Sequence, residues 1–254
     1  MVTMQGRLLH NRGFSLIELL IVIVVLGIMA ALAAKSMTGS VEHRRHNETE
    51  REMETLAAAI VGNPDLTQNG RRCDFGYVGD IGAFPPNLQA LAQNPGGYAT
   101  WRGPYLPPGF TQDSAGYEFD AWGASYAYSG GLTITSPGGG SPVVKKIAEA
   151  SADYIRNSFA GIVKDSADSL PGVKYRDSVD IRMIIPNGFG GTLTKSIKPD
   201  ASGNFMLDSL PAGIHQLRVI FTPDADTLIR YITILPRNKT SRPYLCKFAA
   251  HHFM

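Results

Sequence analysis

An almost unbroken apolar run, Leu19 to Ala34, follows closely on the polar stretch Met1 to Gly13, with one acid, Glu18, at its threshold. Wound as a helix rising about 1.5 Å per residue, the segment Phe14 to Ala34 crosses about 30 Å of hydrocarbon. In hydrocarbon a backbone must satisfy its own polar groups, so a single segment there has only the helix open to it. A carboxylate at that depth costs on the order of 3 kcal/mol unless it finds a partner, which makes Glu18 a functional candidate. The competing reading is a plain signal anchor whose Glu18 sits at headgroup level, where acid is tolerated. Arg7 and Arg12 precede the run and no acid accompanies them. The positive-inside rule therefore places residues 1–13 in the cytoplasm and the chain beyond Ala34 across the membrane.

An ordinary secretory signal puts its small-residue cleavage site after the apolar core. Here the small residue, Gly13, comes before it, so cutting there would leave the hydrophobic helix on the mature chain. In this order, Gly13-Phe14-Ser15-Leu16-Ile17-Glu18 resembles the class III signal of type IV pilins and pseudopilins. The resemblance implies that a prepilin peptidase cuts after Gly13 and that Phe14 becomes the N-methylated amino terminus. It also implies that Glu18 faces the Phe14 amine of a neighbouring subunit. Such a pair would relieve two desolvation penalties at once and set the axial stagger of subunits.

The helix is expected to continue to Val61, because Lys35 to Val61 holds no proline and one glycine, Gly39. Its middle, Glu42 to Glu52, is dense in charge and reads as a solvated face, with Arg44–Glu48 and Glu48–Arg51 at neighbour spacing. Met53, Leu56, Ala57 and Ile60 then recur as one apolar stripe fit to pack on a sheet. Gly62-Asn63-Pro64 ends the helix. Many pilins carry a kinking proline where this chain has Lys35.

From Gly70 to Gly140, short apolar runs alternate with turn signals such as Pro85-Pro86, Pro95-Gly96-Gly97 and Gly130-Gly131, which suits a small antiparallel sheet with long loops. Gly103-Pro104-Tyr105-Leu106 and Asp120-Ala121-Trp122-Gly123-Ala124-Ser125-Tyr126-Ala127-Tyr128 resemble segments of the major pseudopilins of type II secretion systems. These aromatics read as core packing rather than a carbohydrate face, with Trp122-Gly123 packing a turn against the helix. Major pseudopilins bind calcium after the final tyrosine; residues 129–142 contain no acid, so calcium is not carried over.

Beyond this point the expected division is a linker at 137–142, an amphipathic helix at 143–172, a β-sandwich at 173–240 and a frayed tail at 241–254. The helix rests on Val144, Ile147, Ala148, Ala152, Ile155, Phe159, Ile162 and Val163 sharing one face. The sandwich rests on period-two runs: Val179, Ile181, Met183 and Ile185; Leu217, Val219 and Phe221; Ile229, Tyr231, Thr233 and Leu235. Asp200 to Val219 resembles the carboxypeptidase regulatory-like, transthyretin-type β-sandwich, which implies a structural or interaction module. Cys73 and Cys246 either pair across the two halves or remain thiols, and the sequence leaves both open. His251 and His252 lack a second ligand pair at metal-site spacing.

The fold class is thus α+β: a long N-terminal helix, transmembrane then amphipathic, packed on a small sheet over 35–136 and followed by the sandwich. Arg7 and Arg12 account for the formal net charge of +2, leaving the remainder neutral and giving no electrostatic case for nucleic acid. No nucleophile motif or paired-carboxylate pocket points to catalysis, and no cofactor or metal is expected. The reading is a structural subunit of a type II secretion pseudopilus at the inner membrane, with its globular part in the periplasm. Its partners would be copies of itself, other pilin-like subunits, the prepilin peptidase and an assembly platform. A type IV pilus subunit and a membrane-tethered binding protein that uses the sandwich are the alternatives.

Overall fold

A computed structural model describes residues 15–111, 116–238 and 243–253. It divides into two compact units, 1–45 and 46–254. One helix, α1 (Leu16–Val61, 46 residues), runs through the boundary between them. Its charged stretch is knitted by Glu42–Arg45 (3.7 Å) and His46–Glu50 (3.7 Å), neighbours one turn apart but not the pairs expected. It stops at Gly62, whose φ of 80° is left-handed. A side chain there would strike the Asp74 carbonyl 2.4 Å away, so the stop needs glycine. Arg72 donates to the freed carbonyls of Val61 (2.6 Å) and Gly62 (3.1 Å), placing a cation at the negative end of the helix.

In the second unit the expected stripe Met53, Leu56, Ala57 and Ile60 is buried. Met53, Leu56 and Ile60 pack among Tyr77, Val78 and Ile81 of α2 (Gly76–Ile81), Leu91, Leu106, Tyr126, Ile134 and Val143. A minimal hairpin, β1 (Thr67–Gln68) and β2 (Arg71–Arg72), precedes α2. The small antiparallel sheet is β3 (Ala127–Ser129), β4 (Thr133–Ser136) and β5 (Val143–Lys146).

Two expectations fail here. Residues 137–142 are not a linker between domains: Ser136 pairs with Val143, so they close the β4–β5 hairpin. Gly138, at φ 57°, donates to Ser136 Oγ at 3.0 Å inside that turn. Glycine, proline and serine serve a tight turn as well as a flexible tether, and composition alone does not separate the two. The amphipathic helix expected at 143–172 is also absent. After β5 comes one helical turn, Ala152–Ile155, and then strand β6 (Asn157–Lys164) with every second residue buried. Phe159, Ile162 and Val163 fit a helical spacing, but Phe159, Gly161 and Val163 fit the strand period equally well. Gly161 decides in favour of the strand, since any side chain there would meet the Phe205 ring at 2.3 Å.

The remaining strands are β7 (Val179–Pro186), β8 (Thr192–Ile197), β9 (Asn204–Leu210), β10 (Gly213–Phe221), β11 (Asp226–Ile234) and β12 (Tyr244–Lys247). One sheet runs β11-β10-β7-β8, the other β12-β6-β9, and only the β12–β6 pair is parallel. Phe159, Val163, Ile181, Met183, Phe205, Leu217, Val219 and Phe248 fill a single core shared by both sheets, so the region is a sandwich. It takes in β6 and β12, both outside the expected 173–240. The frayed tail is therefore corrected too: Cys246, Phe248 and Phe253 are buried. In β11 the period is right and the phase wrong. Ile232 and Ile234 face the core, whereas Ile229, Tyr231 and Leu235 are exposed. That segment is apolar on both faces, so alternation sets the period without choosing the side.

Within the second unit the sandwich meets the helical part through backbone hydrogen bonds: Gly188 to Ile81 (2.8 Å), Thr100 to Gly190 (3.1 Å) and Ala212 to Tyr154 (2.6 Å). Tyr98 fills the space beside Gly190 that a side chain would need.

Candidate assembly site

Gly13 and Phe14, the expected cleavage and methylation residues, lie outside the described residues. From Ser15 onward the chain is helical in bonding, Leu19 N–H donating to the Ser15 carbonyl at 3.1 Å. Glu18 stands in the first turn of α1, where a carboxylate is favoured by the helix dipole. Residues 15–32 are all exposed, Leu16, Ile17, Leu20, Val24 and Leu32 among them. Bare aliphatic surface in water costs about 25 cal/mol per Å², so this face is built to be covered by lipid or by other helices. It is the one helix among the described residues long and apolar enough to cross a membrane.

The motif around Trp122 is a structural clamp on α1. Asp120, nearly fully buried, accepts from Trp122 N–H (2.9 Å) and Ala124 N–H (2.8 Å) and from the Ser136 hydroxyl. Ala121 N–H then reaches Thr49 Oγ1 (3.2 Å) on α1. Tyr126 Oη donates to Glu52 Oε2 at 2.6 Å, and burial lifts the Glu52 carboxyl above its ordinary range against that bond. Tyr126 is buried, Tyr128 half-buried and Ala127 between them exposed, so the two tyrosines share the inward face. The Gly103–Leu106 motif is likewise a support: Tyr105 Oη donates to Asp80 (2.9 Å), and Trp101 donates to the Ala90 carbonyl (3.0 Å). Burial is the main cause that raises both Tyr105 and Asp80.

A cleft of about 510 Å³ lies where α2 meets β7 and β10, lined in part by Asp80, Thr100, Arg102, Tyr105, Gln216 and Tyr231. Sequence reasoning missed it, because its walls come from two stretches, 73–105 and 184–231, far apart along the chain. Both cysteines are free. Cys73 is exposed, and Cys246 is buried in β12, where burial pushes its thiol up to about 12. The disulfide alternative is thus not realised in the structure. His251 and His252 are placed by carboxylates rather than left loose: His251 Nε2 lies 3.3 Å from Asp165, and His252 lies between Asp224 and Asp226. No three His, Cys, Asp or Glu side chains among the described residues converge as metal ligands.

An apolar helix opened by a lone acid defines a type IV pilin-like N-terminus, and residues 8–34 match the prokaryotic N-terminal methylation motif. The chain is also similar to the type II secretion system core protein G of Xanthomonas campestris pv. campestris, 29% identical over 108 residues. That match covers 42% of this chain and 66% of the relative's length. Together these support a pseudopilin-like subunit with a membrane-anchoring helix.

Proposed function

We propose that this chain is a structural subunit of a type II secretion pseudopilus. In this reading it sits in the inner membrane with Arg7 and Arg12 on the cytoplasmic side and residues from 46 onward in the periplasm. A prepilin peptidase cuts between Gly13 and Phe14 and methylates Phe14. An assembly platform then draws subunits from the bilayer into a filament of this chain and other pilin-like chains. Contacts between helices replace contacts with lipid, and Glu18 fixes the register against the Phe14 amine of a neighbour. The observation that carries the proposal is the methylation motif with Glu18 opening an otherwise apolar helix, on a chain similar to core protein G.

The test is Glu18→Ala in the full chain, with secretion, surface piliation and filament incorporation compared with the parent. A pseudopilus subunit loses incorporation and secretion while surface pili stay normal. Loss of surface filaments with normal secretion would transfer the chain to a type IV pilus. If neither changes, the helix is a tether only and the pseudopilus reading fails. Intact mass of the membrane-bound chain supplies an independent check, since retention of residues 1–13 also contradicts processing.

A further inference from the structure

His252 is held by two carboxylates at once. Its Nδ1 lies 3.1 Å from Asp224 Oδ2 and its Nε2 lies 2.8 Å from Asp226 Oδ2. Its side chain is only 4% exposed. One face of the ring lies against Phe221 at 4.5 Å between centroids, tilted by 32°, and Phe248 meets it edge-on at 5.1 Å. A neutral imidazole has one N–H donor and one lone pair. In this setting the lone pair would point at a carboxylate from which it can accept nothing. Only the doubly protonated ring donates to both partners, and a cation also suits the Phe221 face. The two nitrogens look toward different aspartates, which is the arrangement of a bridged imidazolium and not of a ligand set around one ion.

We infer that His252 is a protonated key that fastens the segment 248–253 to the sandwich, making attachment of that segment dependent on proton occupancy. The segment matters because it follows β12 directly. Phe248 N–H donates to the Lys164 carbonyl (2.9 Å) and continues the β6 pairing, and Phe248 and Phe253 enter the core. Losing the key therefore loosens the outermost strand of the β12-β6-β9 sheet.

His251 faces the fully buried Asp165, whose carboxyl is held low: burial opposes this, but the Phe253, Ser169 and Ala167 backbone N–H groups outweigh it, with His251 adding to them. Lys247 pairs with Asp168 at 3.0 Å. Lys174 sits 4.6 Å over the Tyr175 ring, which in turn packs on Phe221 and Phe253. Histidine is the side-chain type whose ordinary range lies between about pH 5 and 8, so a key made by the doubly protonated ring is present toward the acid end of that range and lost toward the other.

Hydrogen exchange on the full chain in detergent micelles tests this, with rates corrected for intrinsic pH dependence. Protection of residues 244–248 should fall about tenfold between about pH 5.5 and pH 8 in the parent, the scale of one charged hydrogen bond. His252→Gln should show low, flat protection. Asp224→Asn should show high, flat protection, because the asparagine amide can donate to a neutral ring nitrogen while Nε2–H still serves Asp226. His251→Gln should keep the parental response. A flat parental profile overturns the inference, as does a pH response that survives in Asp224→Asn or vanishes in His251→Gln.

Discussion

Asp120 shows how one buried carboxylate can organise a turn whose purpose the sequence only hints at. Its two oxygens serve two backbone amides and the Ser136 hydroxyl, so Asp120→Ala would strand three donors in a buried place. We expect a loss of about 2–4 kcal/mol, read by chemical denaturation of the full chain in micelles, and roughly half of that for Asp120→Asn. The cysteines give a second residue-scale prediction. Alkylation of the native protein near pH 8 should modify exposed Cys73 alone, because buried Cys246 keeps its proton with a pKa of about 12. Intact mass should show one adduct before unfolding and two after; no adduct at all would mean the thiols are joined. The sequence made Glu18 conspicuous because an acid among aliphatics needs no structure to be noticed. The roles of Asp120 and Asp165 were not legible, since their partners are mostly backbone amides, which every residue carries.

Among elements, the end of α1 could be read to the residue, expected at Val61 and found there, since a proline-free run and a glycine stop act locally. β6 could not, because its eight residues satisfy two periods and the choice rests on Phe205, which lies over 40 residues later. The phase of β11 failed for the same kind of reason: the partner strand decides which apolar row turns inward. That correction can be measured. Ile232→Thr should cost about 2 kcal/mol or more, whereas Ile229→Thr on the exposed row should stay within about 0.5 kcal/mol. A larger cost at Ile229 than at Ile232 would return the strand to the phase expected from sequence. On α1, Leu56→Ala should cost about 2–5 kcal/mol because its site is fully enclosed.

At the scale of the second unit, the sandwich is joined to the helical part by the β7–β8 turn and by the β9–β10 connection, beside which His215 is buried. Its Nε2 lies 2.7 Å from the Pro211 carbonyl, a contact the neutral ring makes as a donor, and burial lowers its pKa despite that bond. A histidine depressed in the folded state contributes stability above its unfolded value, near 6.5, and loses it as the pH falls below. Acidification from about pH 7.5 to 5.5 should therefore lower the unfolding midpoint of this unit, and His215→Gln should flatten that limb. The sign is opposite to that of the His252 key, so the two are separable by single substitutions. The parallel pairing of β12 with β6 also sets a timetable. β6 is the first sandwich strand to emerge during synthesis, yet both of its partners, β9 and β12, come later, and β12 follows every other strand. One edge waits about 40 further residues for β9 and the other about 80 for β12, a long exposure for a chain that can aggregate through open edges. Whatever machinery handles this protein as it is made must shelter that first strand until the last one arrives.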